Sequence, residues 1–225
     1  MHITKNTGRI LGLLFLAAAI TGGLGTSMRG LSGIEPNTVS FLLELIKSNP
    51  QMKQAIYLDI LSSTLSVVMA IFLYPYIQSY STRLAVTYSG IAFVNFVLIV
   101  VSNTIHFEML TLAAEYSLAQ GKNPENYTPF TGMLHDAYYK IHFLILLLYG
   151  IGGIVLYYFL LKTNLVYQWL AGWGIIASLI VLLGGLLQFV EIKVSFYLFL
   201  QNGLFVLSFI VYLLIMGFRV HNPKQ

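Results

Sequence analysis

Apolar residues in this chain run in long blocks, without the strict alternation of half-buried strands, and short polar or Gly- and Pro-containing links separate the blocks. Each block approaches the roughly 20 residues that a helix needs to cross a hydrocarbon core. The pattern predicts an all-α fold, an integral membrane bundle of six transmembrane helices over residues 10–26, 55–76, 84–105, 140–161, 166–190 and 196–218. The first block follows Lys5 and Arg9 and fits either a span or the h-region of a secretory signal; a retained span is expected. Two longer connections, 28–53 and 107–135, are expected on one side of the membrane. The first holds a short amphipathic piece, Val39 to Ile46, expected to lie along the interface ahead of Pro50. The second starts with a helical pattern carrying Glu108 and Glu115. The third helix is therefore expected to protrude before Gly121-Lys-Asn-Pro124 breaks it.

Polar side chains interrupt the apolar blocks at helical spacing. Asp59, Ser62, Ser63 and Ser66 fall on one face of the second span, and Asn95, Ser102, Asn103 and His106 on one side of the third, so both stripes should face protein. Ala18, Gly22 and Thr26 recur at four-residue spacing and allow a neighbouring backbone to come close. Trp169 and Trp173 sit where an aromatic belt belongs. The densest polar stretch is His135-Asp-Ala-Tyr-Tyr-Lys-Ile-His142, at the mouth of the fourth span. There, polar groups cost free energy unless they find partners, which makes the stretch the best pointer to a site.

Composition removes whole classes of function. With 57% hydrophobic and 9% charged residues the chain is not a soluble domain. The formal net charge of +4 comes from bases scattered singly, with no basic run, so nucleic acid is not an expected partner and membrane lipid is. The absence of cysteine excludes disulfides, thiolate metal sites and cysteine nucleophiles. With the N-terminus inside, the inner segments hold Lys5, Arg9, Arg83, Lys162, Arg219 and Lys224 and no acidic residue. The density of bases in these short segments places both termini on the cytoplasmic side.

Threading six antiparallel spans brings Asp59, His106, Glu108, His135, Asp136, Tyr139, His142, Gln188, Glu191, Gln201 and Asn202 to one membrane side. The expectation is a shared polar pocket opening outward, since unpaired polar groups in hydrocarbon cost several kcal/mol. The inner half is almost purely apolar, which argues against a conducting pore. His135 and His142 lie two turns apart, roughly 10 Å along the helix, so they do not ligate one ion together. A zinc site would take one of them with His106 and a carboxylate, Asp59 or Glu191, and the set carried forward is His106, His142 and Asp59. No HExxH accompanies it. Tyr138 and Tyr139 are placed to bridge the histidines, and Lys140 to pair with Asp136 or Glu191.

Several stretches together resemble a family. These are Thr7-Gly-Arg-Ile-Leu-Gly-Leu-Leu-Phe-Leu with Ile20-Thr-Gly-Gly-Leu, Leu58-Asp-Ile-Leu, Leu160-Leu-Lys-Thr-Asn-Leu-Val with Trp169-Leu-Ala-Gly-Trp-Gly, and the closing Leu213-Leu-Ile-Met-Gly-Phe. They are similar to a bacterial family of multi-spanning membrane proteins, domain of unknown function 4386. Tyr167-Gln168 departs from its pattern, where a Pro-Arg pair is expected, and an Arg/Glu pair of the third span is missing. The resemblance implies a six-span helical fold and brings no activity, cofactor or catalytic residue.

The leading functional reading is a bacterial inner-membrane protein that binds a small molecule or lipid in the outward-facing pocket, in a binding, sensing or assembly role. A membrane-embedded hydrolase or lipid-modifying enzyme, with or without zinc, is the second reading. A secondary transporter is the third, although neither internal repeats nor broken helices are evident.

Overall fold

The computed structural model describes residues 3–29, 34–192, 194–195 and 197–219. Among these it contains six long helices: α1 Lys5–Met28, α2 Val39–Tyr80, α3 Thr82–Leu118, α4 Thr128–Thr163, α5 Gln168–Phe189 and α6 Tyr197–Met216. All six are long and apolar enough to cross a membrane. Phe196, the expected start of the sixth span, and Lys224 lie outside the described residues.

Local chemistry sets the helix ends. The Thr4 hydroxyl accepts the Thr7 N–H at 3.2 Å, and the Thr7 hydroxyl accepts the Thr4 N–H at 3.2 Å, closing a capping box at the start of α1. Ser81 alone separates α2 from α3. Its N–H ends α2 on the Ile77 carbonyl at 2.8 Å, and its hydroxyl caps α3 by accepting the Leu84 N–H at 3.3 Å. Asn164, in the left-handed conformation, ends α4 in the gap between the predicted fourth and fifth spans.

Two predicted connections are in fact helical. The piece expected along the interface, Val39 to Ile46, is the start of α2, which runs through Pro50 without a break. Proline removes a backbone donor there, but packing outweighs that loss. Phe41, Leu42, Leu45, Met52 and Ile56 are fully buried against Met109, Leu110, Ala113 and Tyr116 of α3. The second connection is shortened in the same way. The third helix protrudes as far as Leu118, a single 3₁₀ turn at Pro124–Asn126 follows, and α4 starts at Thr128 with a proline in its first turn. At about 1.5 Å per residue the 42 residues of α2 extend roughly 63 Å. A hydrocarbon core is about 30 Å thick. The α2, α3 and α4 helices therefore carry a small second core beyond the membrane level, on the side away from the termini.

Each helix packs on its neighbours in sequence, and α6 packs on α1, so the six form a closed ring. The contact between α1 and α6 needs glycine: a Cβ on Gly8 would overlap the backbone of Gly217 and Phe218. Arg9 strengthens the seam by donating to the Ile215 carbonyl at 3.2 Å. The main core fills the half of the ring nearer the termini, with Leu73, Ile77, Phe159, Leu160, Phe205 and Phe209 almost wholly buried. Trp173 packs on Phe205 with ring centroids 5.5 Å apart, while Trp169 is exposed as a belt residue would be.

Candidate functional site

The far-side polar residues build upward from Arg29, the residue that caps α1. Its Nη2 donates to the Asp59 carboxylate of α2 and, at 2.8 Å, to Asn103 Oδ1 of α3, while Nη1 donates to the Tyr138 hydroxyl of α4. One guanidinium thus joins α1 to the next three helices. The pair is largely enclosed, with side-chain exposures of 12% for Arg29 and 18% for Asp59. The local sequence makes room for it. Ala18 and Gly22 of the predicted small-residue stripe lie over Ser62, whose hydroxyl donates to the Ala18 carbonyl at 2.9 Å. One turn further on, Gly25 and not Thr26 faces α2, and a Cβ there would overlap Asp59 Oδ1. Arg29 escapes the sequence reading because it falls just past a span, inside an apparent polar connection. The signal that points to it is Asp59, since a carboxylate in a spanning helix requires a cation.

The His135–His142 stretch divides between two faces of α4, as helical spacing requires. His135, Tyr138 and His142 turn toward the ring interior and the second core. The Tyr138 ring lies 4.0 Å from the His106 ring and 6.1 Å from the His142 ring, so a tyrosine bridges these two histidines. His135 is held instead between Phe41, at 5.4 Å, and Tyr139, at 4.7 Å. His106 is 1% exposed, and its Nδ1 has no hydrogen-bond partner among the described residues.

On the other face, Asp136, Tyr139, Lys140 and Phe143 meet Gln188, Phe189 and Glu191 at the end of α5, around a cleft of about 230 Å³. The cleft carries two carboxylates and one ammonium over three aromatic rings. Among the described residues no carboxylate reaches ion-pair distance of Lys140, so the expected Lys140 pairs with Asp136 or Glu191 are not formed. Asp136 and Lys140 also line a larger open groove that runs along α4 toward Thr128.

The residues expected in a single layer thus fall mainly into two groups, the Arg29 knot with its histidines and the α4/α5 cleft, which touch at His135, 4.7 Å from the Tyr139 ring and 3.8 Å from Asp136 Oδ1. Gln201 and Asn202 belong to neither: Gln201 donates to the Ala177 carbonyl at 3.4 Å, and Asn202 lies beside Tyr149. Glu108 is exposed on the protruding part of α3. The metal set is not assembled either. Arg29 occupies the Asp59 carboxylate, and among the described residues no three His, Cys, Asp or Glu side chains are placed to hold one ion.

The pattern of one family, described as Domain of unknown function (DUF4386), matches residues 10–217, which takes in all but the ends of the ring. The chain belongs to that family. In this DUF4386 chain the Arg29 knot, the α4/α5 cleft and the second core all lie within the matched region, as does the main core apart from its terminal residues such as Phe218. Comparison with curated proteins and with solved structures gives no match.

Proposed function

We propose that the protein is a bacterial inner-membrane protein, with both termini in the cytoplasm, that binds a zwitterionic amphiphile in the α4/α5 cleft in a binding, sensing or assembly role. The supporting observation is the cleft's lining. Asp136 and Glu191 suit an ammonium group, the unpaired Lys140 suits a phosphate, and Tyr139, Phe143 and Phe189 give the ligand's apolar part a surface. Exposed Leu186, Leu187 and Phe189 continue along α5, where an acyl chain would lie. A headgroup of the phosphoethanolamine type fits this set of charges, because its ammonium keeps N–H donors that a trimethylated choline lacks.

The test is a titration of the purified protein followed by native mass spectrometry, with ethanolamine, choline and glycerol phospholipids of equal chain length. The ethanolamine lipid is expected to bind best. Lys140→Ala and Glu191→Gln are each expected to weaken it roughly two- to fivefold, the scale of a partly solvated ion pair. Competition by free phosphoethanolamine would identify the headgroup as the recognised part. Equal binding of all three lipids, or preference for the anionic one, would contradict the reading.

A further inference from the structure

Below the Arg29 knot, at the centre of the ring, lies a cavity of about 90 Å³ walled by all helices from α1 to α5. Six of its lining side chains are polar: Ser66, Tyr88, Asn95, Tyr149, Tyr157 and Ser178. None of its described lining residues is charged. Three wall oxygens receive no hydrogen bond from the described residues, and they stand beside the Tyr88 and Tyr157 hydroxyls, which also form none. Ser66 and Ser178 donate their hydroxyl protons to carbonyls of their own helices, at 3.2 and 2.8 Å, so each presents an oxygen that accepts. Asn95 Oδ1 is buried and has no partner among the described residues. A buried acceptor left unpaired in a low-dielectric interior is costly, and the cost is relieved by whatever supplies a donor.

We infer that this cavity is a binding site for a small uncharged molecule carrying a hydroxyl or amide donor, held by Asn95 Oδ1 and the Ser66 and Ser178 oxygens against an apolar wall. Size and charge both restrict the occupant. The volume equals about three waters at roughly 30 Å³ each and falls short of the roughly 150 Å³ that accommodates benzene, so the molecule has only a few heavy atoms. An ion would find no counter-charge there and would bear the full cost of desolvation. The site is a pocket and not a passage, because fully buried Leu73, Ile77, Phe159 and Leu160 close the side toward the termini. Tyr149, 43% exposed while lining the cavity, marks the side through which the molecule enters. This site is independent of the α4/α5 cleft and shares no lining residue with it.

The experiment is a ¹⁹F NMR titration of the detergent-purified protein with 2-fluoroethanol, a donor, and with size-matched fluoroacetonitrile, which only accepts; empty micelles give the partitioning baseline. Saturable binding of 2-fluoroethanol is expected, with fluoroacetonitrile roughly tenfold weaker, the scale of one buried hydrogen bond. Asn95→Leu is expected to abolish the difference between the two probes. Gly152→Ala projects a methyl group into the cavity wall, where only Ile91 lies close, at 3.2 Å, and is expected to weaken both probes while the fold is kept. Lys140→Ala is expected to change neither. Equal affinity for the two probes, an unchanged preference in Asn95→Leu, or no saturable binding by the wild type would overturn the inference and leave the cavity as a site for water alone.

Discussion

Replacing Arg29 with Ala is expected to lower the unfolding free energy by about 3–5 kcal/mol, because it leaves the Asp59 carboxylate charged and enclosed without a counter-ion. The same change removes the donors to Asn103 and Tyr138, so the link of α1 to α3 and α4 is lost together with the ion pair. Asp59→Ala strands the guanidinium in the same way and should cost a similar amount. The double variant Arg29→Met with Asp59→Leu removes both charges and keeps apolar volume. It is expected to recover most of the loss, since a matched apolar pair often replaces a buried ion pair at little cost. Thermal unfolding of the four proteins in one detergent gives the comparison. Losses that simply add in the double variant would show that Arg29 and Asp59 act separately.

The second large effect is expected at the seam that closes the ring. Gly8→Ala places a methyl group on the backbone of Gly217 and Phe218, which cannot move aside as a flexible side chain would. Overpacking of this kind costs about 1–3 kcal/mol, and here it separates α6 from α1. Gly23 provides the control. It lies in the same helix, and nothing stands within 4 Å of the point where its methyl group would sit, so Gly23→Ala should be neutral or stabilise the helix by up to about 1 kcal/mol. A melting temperature lowered in Gly8→Ala and unchanged or raised in Gly23→Ala is the expected pair of results. Equal shifts would locate the ring closure elsewhere.

The spans were legible because long apolar blocks have few alternatives in a membrane, and the structure breaks its helices at Gly121 and within the gaps left between the second and third and the fourth and fifth predicted spans. The length of α2 was not legible. Pro50 reads locally as a stop, and only the burial of Phe41, Leu45 and Met52 against α3, a contact distant in sequence, carries the helix through it. The site shows the same division. Asp59, His106 and the His135–His142 stretch lie at one end of the bundle, yet in the sequence they present themselves as one layer. Helical spacing alone separates His135, Tyr138 and His142 from Asp136, Tyr139, Lys140 and Phe143, so that much was available in the sequence. Arg29 was not: its role depends on the exit direction of α1 and on the space that Gly25 leaves beside Asp59, which are properties of the packed ring.

Photo-crosslinking in nanodiscs tests the central claim most directly, using an ethanolamine phospholipid with a photoreactive group near its headgroup. Label is expected on the segments carrying Tyr139 and Lys140 and on Gln188 to Glu191. Excess unlabelled ethanolamine lipid should displace it, and Lys140→Ala should reduce it at unchanged melting temperature. Label spread evenly around the lipid-facing surface, or label at the cleft that the ethanolamine lipid fails to displace, would contradict the assignment of the α4/α5 cleft as a zwitterion-binding site.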